Sequence, residues 1–444
     1  MIKFYRSFYV SNRFYAIMLT ILFAMVTGHF FDVVLTVATV ALGTALLLVL
    51  LDILMLYRQK NGILGTREMG DRFSNGDENM IVLTLTNQFR FPVKAKILEE
   101  LPPQFQIRDF GHSLKLVPGL PHRFSYHLRP TFRGEYQFGH TQVLVQSPIG
   151  FIIKREQANL PLSVKVYPSF LQMRKFEMMA ISNRLTEVGI KKVRRIGHQM
   201  EFDQIRDYTF GDDYRTINWK ATARKSHLMV NQYQDEKSQQ VYSLVDMGRS
   251  MKMPFDGMTL LDYAINTSLV VSDIAMVKHD KAGLVTFNDK VRTVLQARRN
   301  ELHLQSIMET LYNQSSGFGE HNLHALYATI RRHVHQRSLM FLYTNFESLQ
   351  SAQRQIPLLT KIAKDHLLVV VFFENTEIKS MTMQPTLTVE NIYTQTIAEK
   401  FIYDKKLIAK ELEHFGIHPV LTEPGLLSIN SINKYLEIKA RGLI

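Results

Sequence analysis

The sequence predicts three structural parts in order: two transmembrane helices, a β-sandwich, and a C-terminal α/β domain with a doubly wound sheet. Three observations predict this order. Two long apolar stretches open the chain, a series of short segments with period-two hydrophobicity follows, and the C-terminal half alternates apolar runs with helical segments. We divide the chain into a helical hairpin (1–60), a sandwich (61–170), a linker helix with a charged segment (171–237), and the α/β domain (238–444).

Composition narrows the classes of protein to consider. Of the 444 residues, 46% are apolar and 21% are charged, as in an ordinary folded protein. The absence of cysteine excludes disulfides, thiol nucleophiles and thiolate metal sites. A net charge of +13 suits either nucleic acid or an anionic membrane surface. The apolar N-terminus favours the membrane, and because the aromatics lie mostly in predicted strands and membrane helices, we expect no nucleic-acid binding.

The N-terminal stretches have the length and composition of membrane spans. Phe14 to Phe30 and Val33 to Tyr57 are interrupted only by His29 and Asp52. Basic residues flank the pair on both outer ends and are absent from the turn between, which predicts a hairpin in the lipid bilayer with both ends in the cytoplasm. A signal peptide is the alternative, but no small-residue cleavage site is evident. Asp52 lies one turn from the cytoplasmic end, so we expect it to reach the membrane interface.

The middle of the chain predicts a β-sandwich, a module that binds or spaces. Turn signals such as Pro118-Gly119 and Arg133-Gly134 separate short alternating segments. The predicted strands are Met80–Thr86, Val93–Leu98, Ser113–Val117, Phe124–Arg129, Gly134–Phe138, Gln142–Val145 and Ser163–Tyr167. A helix from Phe170 to Lys192 follows.

The C-terminal part alternates buried strands with helices, which predicts a mostly parallel sheet. Ligands of such sheets sit at the carboxyl ends of the strands, where Asp246 to Ser250 and Thr344-Asn345 fall. The predicted strands are Gln240–Val245, Ala282–Phe287, Val291–Leu295, Leu339–Tyr343, Leu367–Phe373 and Pro419–Leu421. The predicted helices are Leu260–Lys278, Asn300–Asn313, Asn322–His335, Ala352–Asp365, Asn391–Phe415 and Ser428–Arg441.

One segment resembles a family signature closely. The stretch from Arg206 to Arg224 matches every fixed position of R-x-Y-x-x-G-D-x-x-R-x-I-x-W-x-x-x-A-R, the signature of the bacterial "domain of unknown function 58" family. Arg133–Gly139 and Ser147–Gly150 also resemble that family's β-domain. The resemblance marks nine candidate binding residues: Arg206, Asp207, Tyr208, Gly211, Asp212, Arg215, Asn218, Trp219 and Arg224.

The resemblance implies a function only by analogy, because the family's activity is not established. Its members resemble membrane partners of MoxR-type AAA+ ATPases, which act in protein maturation, envelope integrity or stress. We therefore expect a non-enzymatic adaptor in the bacterial inner membrane, with its bulk in the cytoplasm, serving such an ATPase or client proteins. No phosphate-binding G-x-x-x-x-G-K-[ST] loop is present, so a partner would hydrolyse ATP. An unrecognised hydrolase is a remote alternative; we predict no catalytic residue.

Physically, the signature predicts a turn at Gly211 and a helix from Tyr214 to Lys225 capped by Asp212 or Asp213. We expect Trp219, the single tryptophan, to pack in the core. The three arginines and three aspartates of the segment predict a network of charged hydrogen bonds that clamps it to the α/β domain. A face that binds a partner or an anion is the alternative.

A second resemblance suggests a metal site. Asp246 to Ser250 resembles the first metal loop, D-x-S-x-S, of von Willebrand factor type A domains, which implies that Rossmann-like fold. Oxygen ligands at such a site suit Mg²⁺. Here Gly248 replaces the first serine, Gly319–Leu323 lacks the usual threonine, and Asn345 replaces an aspartate. The degenerate set is Asp246, Ser250 and Asn345, with Glu320 or Glu347 as substitutes. We expect partner docking without an obligatory ion; a metal-dependent protein-binding site is the alternative.

Overall fold

The computed structural model describes residues 2–108, 110–181, 201–234, 238–317, 319–382 and 389–443. Contacts divide the chain into two compact units, residues 1–167 and 168–444.

The first unit begins with helices that expose apolar side chains. Its opening elements are α1 (Ile2–Ser7), β1 (Phe8–Val10), α2 (Asn12–Gly28) and α3 (Asp32–Tyr57). The helix α3 is long and apolar enough to cross a membrane, and α2 is apolar but shorter. Phe23, Leu47 and Leu54 are among many large apolar side chains that these helices leave exposed. Water would solvate such a surface unfavourably, whereas lipid would not.

The close pairing of α2 with α3 depends on a glycine. A Cβ added at Gly28 would lie 2.7 Å from the backbone nitrogen of Leu35. Because real Cβ atoms do not approach a backbone atom this closely, only glycine lets the chain reverse so tightly here.

The rest of the first unit is a layered β-domain. Its strands are β2 (Ile63–Met69), β3 (Arg72–Ser74), β4 (Asn79–Asn87), β5 (Val93–Glu99), β6 (Gly111–Leu116), β7 (Pro121–Leu128), β8 (Gly134–Phe138), β9 (Thr141–Gln146), β10 (Ile152–Gln157) and β11 (Leu162–Tyr167). They form sheets of order β1-β10-β9-β5-β6, β2-β4-β7 and β3-β11-β8. Each predicted strand is present, and β1, β2, β3 and β10 are additional.

The prediction for Asp52 was wrong. Its side chain is fully buried against the β-domain and does not reach towards water. One carboxylate oxygen accepts hydrogen bonds from the backbone N–H groups of Phe151 and Ile152, at 2.9 and 2.8 Å. The carboxylate therefore ties the last turns of α3 to the start of β10.

The second unit is built around a mixed six-stranded sheet with helices on both faces. Its elements are α4 (Phe170–Ile181), β12 (Glu201–Asp207), α5 (Trp219–Lys225), β13 (Met229–Gln234), β14 (Gln240–Asp246), β15 (Pro254–Phe255), β16 (Met258–Thr259), α6 (Leu260–Val277), β17 (Lys281–Phe287), β18 (Val291–Arg298), α7 (Glu301–Tyr312), α8 (Leu323–His333), β19 (Leu339–Tyr343), α9 (Leu349–Asp365), β20 (Leu367–Phe373), α10 (Thr376–Met381), α11 (Val389–His414), β21 (His418–Thr422) and α12 (Leu427–Ala440).

The order of the main sheet is β18-β17-β14-β19-β20-β21, and only β18 pairs antiparallel. Alternate strand residues enter two separate cores: Val241 and Val245 pack on one face, and Tyr242 and Leu244 on the other. Such a strand must be apolar along its whole length. The later α/β region predicted from the sequence is thus confirmed, and β19 and β20 have the predicted limits.

The helices α4 and α6 pack against each other in this unit. The helix α6 is apolar enough for a membrane span, but 83% of its most apolar window is buried, so it is a core helix. A capping box between Thr259 and Asp262 fixes its start. The helix α4 packs on α6 through Phe176 and is described from Phe170 to Ile181, within the predicted Phe170–Lys192. Residues 182–192 lie outside the described residues.

Candidate functional site

The central strands of the second unit bring two predicted loops together at their carboxyl ends. Strand β14 ends at Asp246, and its neighbour β19 ends one residue before Thr344, with Val245 paired to Tyr343. The loop after β14 is held by backbone hydrogen bonds, including one from Arg249 N to the carbonyl of Gly319. The sheet therefore places residues from three loops at a single edge, as the sequence predicted for Asp246 and Asn345.

Asp246 is fully buried at this edge and surrounded by donors from the protein itself. One carboxylate oxygen accepts a hydrogen bond from Gly248 N at 2.7 Å. The other accepts one from the Thr344 hydroxyl at 2.6 Å and lies 2.9 Å from Nδ1 of His321. These partners satisfy most of the hydrogen-bonding capacity of the carboxylate.

The ring of His321 lies next to Asp246, and this contact favours its protonated form. Burial alone would lower the pKa of His321, but the hydrogen bond and charge of Asp246 raise it, with help from Gln355 and Glu320. The pKa therefore lies above its ordinary value, and protonation makes the contact an ion pair. The sequence did not predict the pairing of His321 with Asp246. It did place His321 at the loop position where the metal-site pattern has threonine, and this position could have identified the residue as part of the site.

A second cation reaches the same edge from a distant helix. Lys405 of α11 donates hydrogen bonds to the side-chain oxygen of Asn345 at 2.7 Å and to the carbonyl of Phe346 at 2.5 Å. Burial lowers the pKa of Lys405 to about 8, although the charge of Glu347 opposes the shift. Nothing in the local sequence around Lys405 marks it for this role.

These contacts bear on whether a divalent ion fits. Lys405 occupies the oxygen of Asn345, and Glu347 pairs with Arg249 at 3.2 Å. One oxygen of Asp246 faces His321 and Thr344, and the other accepts from Gly248 N. Across the described residues, no group of three or more His, Asp or Glu side chains is arranged to hold a metal. The residues present do not fit Mg²⁺ unless His321 and Lys405 are displaced.

A cavity of about 380 Å³ opens beside this edge. Phe346, Phe401 and Lys405 line it, together with Ser250. The hydroxyl of Ser250 is buried and has no hydrogen-bond partner, which leaves one polar atom of the predicted set without a structural role.

The signature segment forms a separate small substructure. Strands β12 and β13 pair antiparallel; Arg206 and Asp207 end β12, and the chain between the strands carries the other candidate residues. Gly211 has φ +108, which confirms the predicted turn. Arg206 binds Asp212 with two hydrogen bonds, at 2.9 and 2.6 Å. The hydrogen bonds from Arg206 and from Thr209 N lower the pKa of Asp212 to about 2.

Several predictions for this segment were wrong in detail. The continuous helix is broken: Asp213 caps one 3₁₀ turn at Tyr214–Thr216, and Asn218 caps α5. The extended backbone at Ile217 lets it pair with Val230 of β13, which interrupts the helix. Trp219 is 70% exposed and does not pack in the core.

Within the part of the chain that the structure describes, the expected network of six charged residues reduces to the pair Arg206–Asp212. Asp207 lies 2.8 Å from His227, and the guanidinium of Arg215 lies over the ring of Tyr214. Tyr208 donates its backbone N–H to Leu228, and Arg224 is exposed on α5. Because these contacts stay within the segment, they stabilise its own shape.

The segment instead displays aromatic side chains. Phe210 is fully exposed, and Tyr214 and Trp219 are each 70% exposed. Large aromatic side chains rarely stay in water in this number within so short a segment, and exposed aromatic groups are typical of contact surfaces.

A protein-family model matches the part of the chain that contains the signature segment. Residues 204–380 match the family model described as "Protein of unknown function DUF58". The uncharacterised protein YeaD of Bacillus subtilis is 27% identical over 179 residues. That alignment covers 38% of this chain and 44% of YeaD, less than half of its length.

Two solved structures show weak likenesses to parts of the chain. BatB of Bacteroides thetaiotaomicron is 11% identical, with a TM-score of 0.28 over 46% of this chain and 100% of BatB. A CARDB domain from Pyrococcus furiosus is 11% identical, with a TM-score of 0.18 over 24% of this chain and 93% of that domain. At these scores neither likeness supports an inference about function.

Proposed function

We propose that this chain is a non-enzymatic, membrane-anchored adaptor that docks another protein through its signature segment. The observation that carries the proposal is the exposure of Phe210, Tyr214 and Trp219 on a segment whose shape is fixed by the Arg206–Asp212 pair. A rigid base that presents aromatic side chains loses little conformational entropy when a partner covers them. By analogy with the resembled family, the partner is a MoxR-type AAA+ ATPase or one of its client proteins.

The anchor is the hairpin of α2 and α3. Their exposed apolar surface supports insertion in a bilayer, and the basic residues at both outer ends support a cytoplasmic location for the rest of the chain. The membrane is then the bacterial inner membrane. Protection of the region beyond Arg58 from protease added outside intact cells tests this orientation; digestion there would reverse it.

The docking function needs no bound ion in this proposal. His321 and Lys405 already supply positive charge at the edge where a type A–like domain would hold Mg²⁺. Their charges repel an incoming cation, and each satisfies an oxygen that the metal would need.

Capture from native membranes tests the adaptor role. A tagged full-length chain should retain an AAA+ ATPase in a nucleotide-dependent manner. Trp219→Ala combined with Phe210→Ala should reduce the captured amount at least tenfold, because aromatic hot-spot residues contribute about 2 kcal/mol or more each. Leu302→Ala is the matched control, since Leu302 is as exposed but lies on α7, outside the segment. Equal capture by both variants would refute the assignment.

A divalent-dependent binding site of the type A class is the second candidate. The unpartnered hydroxyl of Ser250 favours it, because this atom stands at the same edge as Asp246 and Thr344. Calorimetric titration of the protein with Mg²⁺ separates the candidates. We expect no sub-millimolar binding; binding at that level that Asp246→Ala abolishes would favour the metal-dependent function.

A further inference from the structure

A basic groove lies where the apolar helices of the first unit meet the β-domain. It has a volume of about 1000 Å³. Arg6 and Tyr9 line it from the N-terminal segment, Tyr57 and Lys60 from the end of α3, and Arg155 from β10. Strand β1 pairs with β10, with Phe8 opposite Lys154, and this pairing holds the N-terminal segment against the groove. We call this cavity the hairpin groove.

The hairpin groove has an excess of positive charge. Arg6, Lys60, Lys154 and Arg155 line it, and the one acidic side chain among its described lining residues is Glu156. Glu156 is already engaged: it pairs with Lys154 at 2.6 Å and accepts hydrogen bonds from the backbone N–H groups of Gly62 and Ile63. The Lys154–Glu156 pair is therefore neutral, and the charges of three residues remain.

Among the described residues, none of these three cations has an acidic partner. Nε of Arg155 donates to the neutral side chain of Gln142 at 2.7 Å, which leaves the other guanidinium nitrogens for a ligand. Arg6 and Lys60 are exposed. Two guanidinium groups and one ammonium around a cavity form a suitable set of donors for a phosphate group.

The position of the groove selects a lipid as the source of the phosphate. Lys60 is three residues beyond the end of α3, and Arg6 is six residues before the start of α2. Tyr9 and Tyr57 line the same groove, and tyrosine is enriched where a membrane meets water. Leu54, one turn before Tyr57, is exposed on α3 and offers an apolar surface to an acyl chain.

We propose that the hairpin groove binds the phosphate headgroup of an anionic phospholipid through Arg6, Lys60 and Arg155. The inference rests on the proposed membrane anchoring but not on the adaptor role. A lipid bound there would fill the angle between the hairpin and the β-domain, and it would make anchoring sensitive to the lipid composition of the membrane.

Native mass spectrometry of the full-length chain in detergent tests the proposal. The probes are short-chain phosphatidylglycerol, short-chain phosphatidylcholine and inorganic phosphate. We expect one phosphatidylglycerol to bind at least tenfold more tightly than phosphatidylcholine. The triple variant R6Q/K60Q/R155Q should weaken this binding about 100-fold, as expected for the loss of three basic residues near an anionic surface.

The matched control changes the same charge elsewhere in the same sheet. Lys94, Lys96 and Lys115 are exposed on β5 and β6, at the opposite edge from β1 and β10. The triple variant K94Q/K96Q/K115Q should bind phosphatidylglycerol as the unaltered chain does. The variant R6K/R155K keeps the charge and should bind within a few-fold, which separates the loss of the site from a failure to fold.

Three outcomes would overturn the proposal. They are equal binding of the two lipids, equal losses in the two triple variants, or competition by inorganic phosphate at the concentration of the lipid, which would assign the groove to a free anion. Failure of the adaptor role would show separately, as absence of an ATPase from the capture experiment. Failure of anchoring would show as recovery of the protein in the soluble fraction.

Discussion

Replacement of Asp246 by alanine should loosen the centre of the second unit. The change removes the acceptor of three hydrogen bonds, from Gly248 N, from the Thr344 hydroxyl and from His321. The two bonds from neutral donors contribute about 1 kcal/mol each, and the bond from the histidinium about 2 kcal/mol. The expected loss is therefore about 4 kcal/mol, a large fraction of the free energy of unfolding of a domain of this size.

The pH dependence of that loss identifies the contribution of His321. Because its pKa is raised in the folded state, the ion pair contributes fully below the ordinary value of about 6.5 and is lost as the pH rises through the raised value. The penalty for Asp246→Ala should thus be largest near pH 6 and should fall by about 1 kcal/mol in alkaline solution, where the neutral imidazole still donates Nδ1–H to Asp246 but the ion pair is lost.

Hydrogen exchange of the full-length chain in detergent measures this effect locally. Peptides covering 240–247 and 339–345 should exchange about a thousandfold faster in Asp246→Ala at pH 6, since each 1.4 kcal/mol is a factor of ten. Peptides from the β-domain are the internal control. A change of less than threefold in β14 and β19, or a penalty that grows with pH, would refute the role given to Asp246 and His321.

Other predictions follow from single contacts. Asp52→Ala should leave the N–H groups of Phe151 and Ile152 without an acceptor and destabilise the first unit by about 2–6 kcal/mol, whereas the exposed control Asp32→Ala should change little in the same thermal unfolding series. The fluorescence of Trp219 should be quenched by iodide almost as strongly as that of free tryptophan; a protected, blue-shifted emission would contradict its exposure. The free energy of unfolding should rise by about 2 kcal/mol between about pH 8 and 10.5, after allowance for solvent screening, because the pKa of Lys405 is lowered in the folded state. Lys405→Met should abolish this rise in denaturant unfolding measured across the same pH range.

The parts of the fold that the sequence predicted well are those where burial dominates. Leu339–Tyr343 and Leu367–Phe373 are covered on both faces, so an uninterrupted apolar run marks each strand from end to end. Strand β10 was missed because its inward positions alternate Ile152, Lys154 and Glu156. Lys154 and Glu156 are charged and are buried because they pair with one another and hydrogen-bond to backbone groups, which a hydrophobicity pattern cannot show.

The candidate site was predicted in part for a similar reason. Asp246 and Thr344 end adjacent strands, so the topology alone brings them together. Lys405 arrives from a helix sixty residues further along, and no local pattern encodes that approach. In the signature segment, the predicted burial of Trp219 was wrong. A lone tryptophan usually packs in a core, but this short segment has no core large enough to cover Trp219.

The apolar composition of α6 has a consequence for how the chain is made. In a chain anchored as proposed, machinery that recognises spans by length and hydropathy would meet α6 as a further candidate, because this helix is also apolar enough to cross a membrane. Asp262 and Asp273 within it would each cost up to about 3 kcal/mol in lipid, less towards the helix ends. In the folded domain the same two acids are buried within the protein, so their cost in lipid favours the folding of this helix over its insertion.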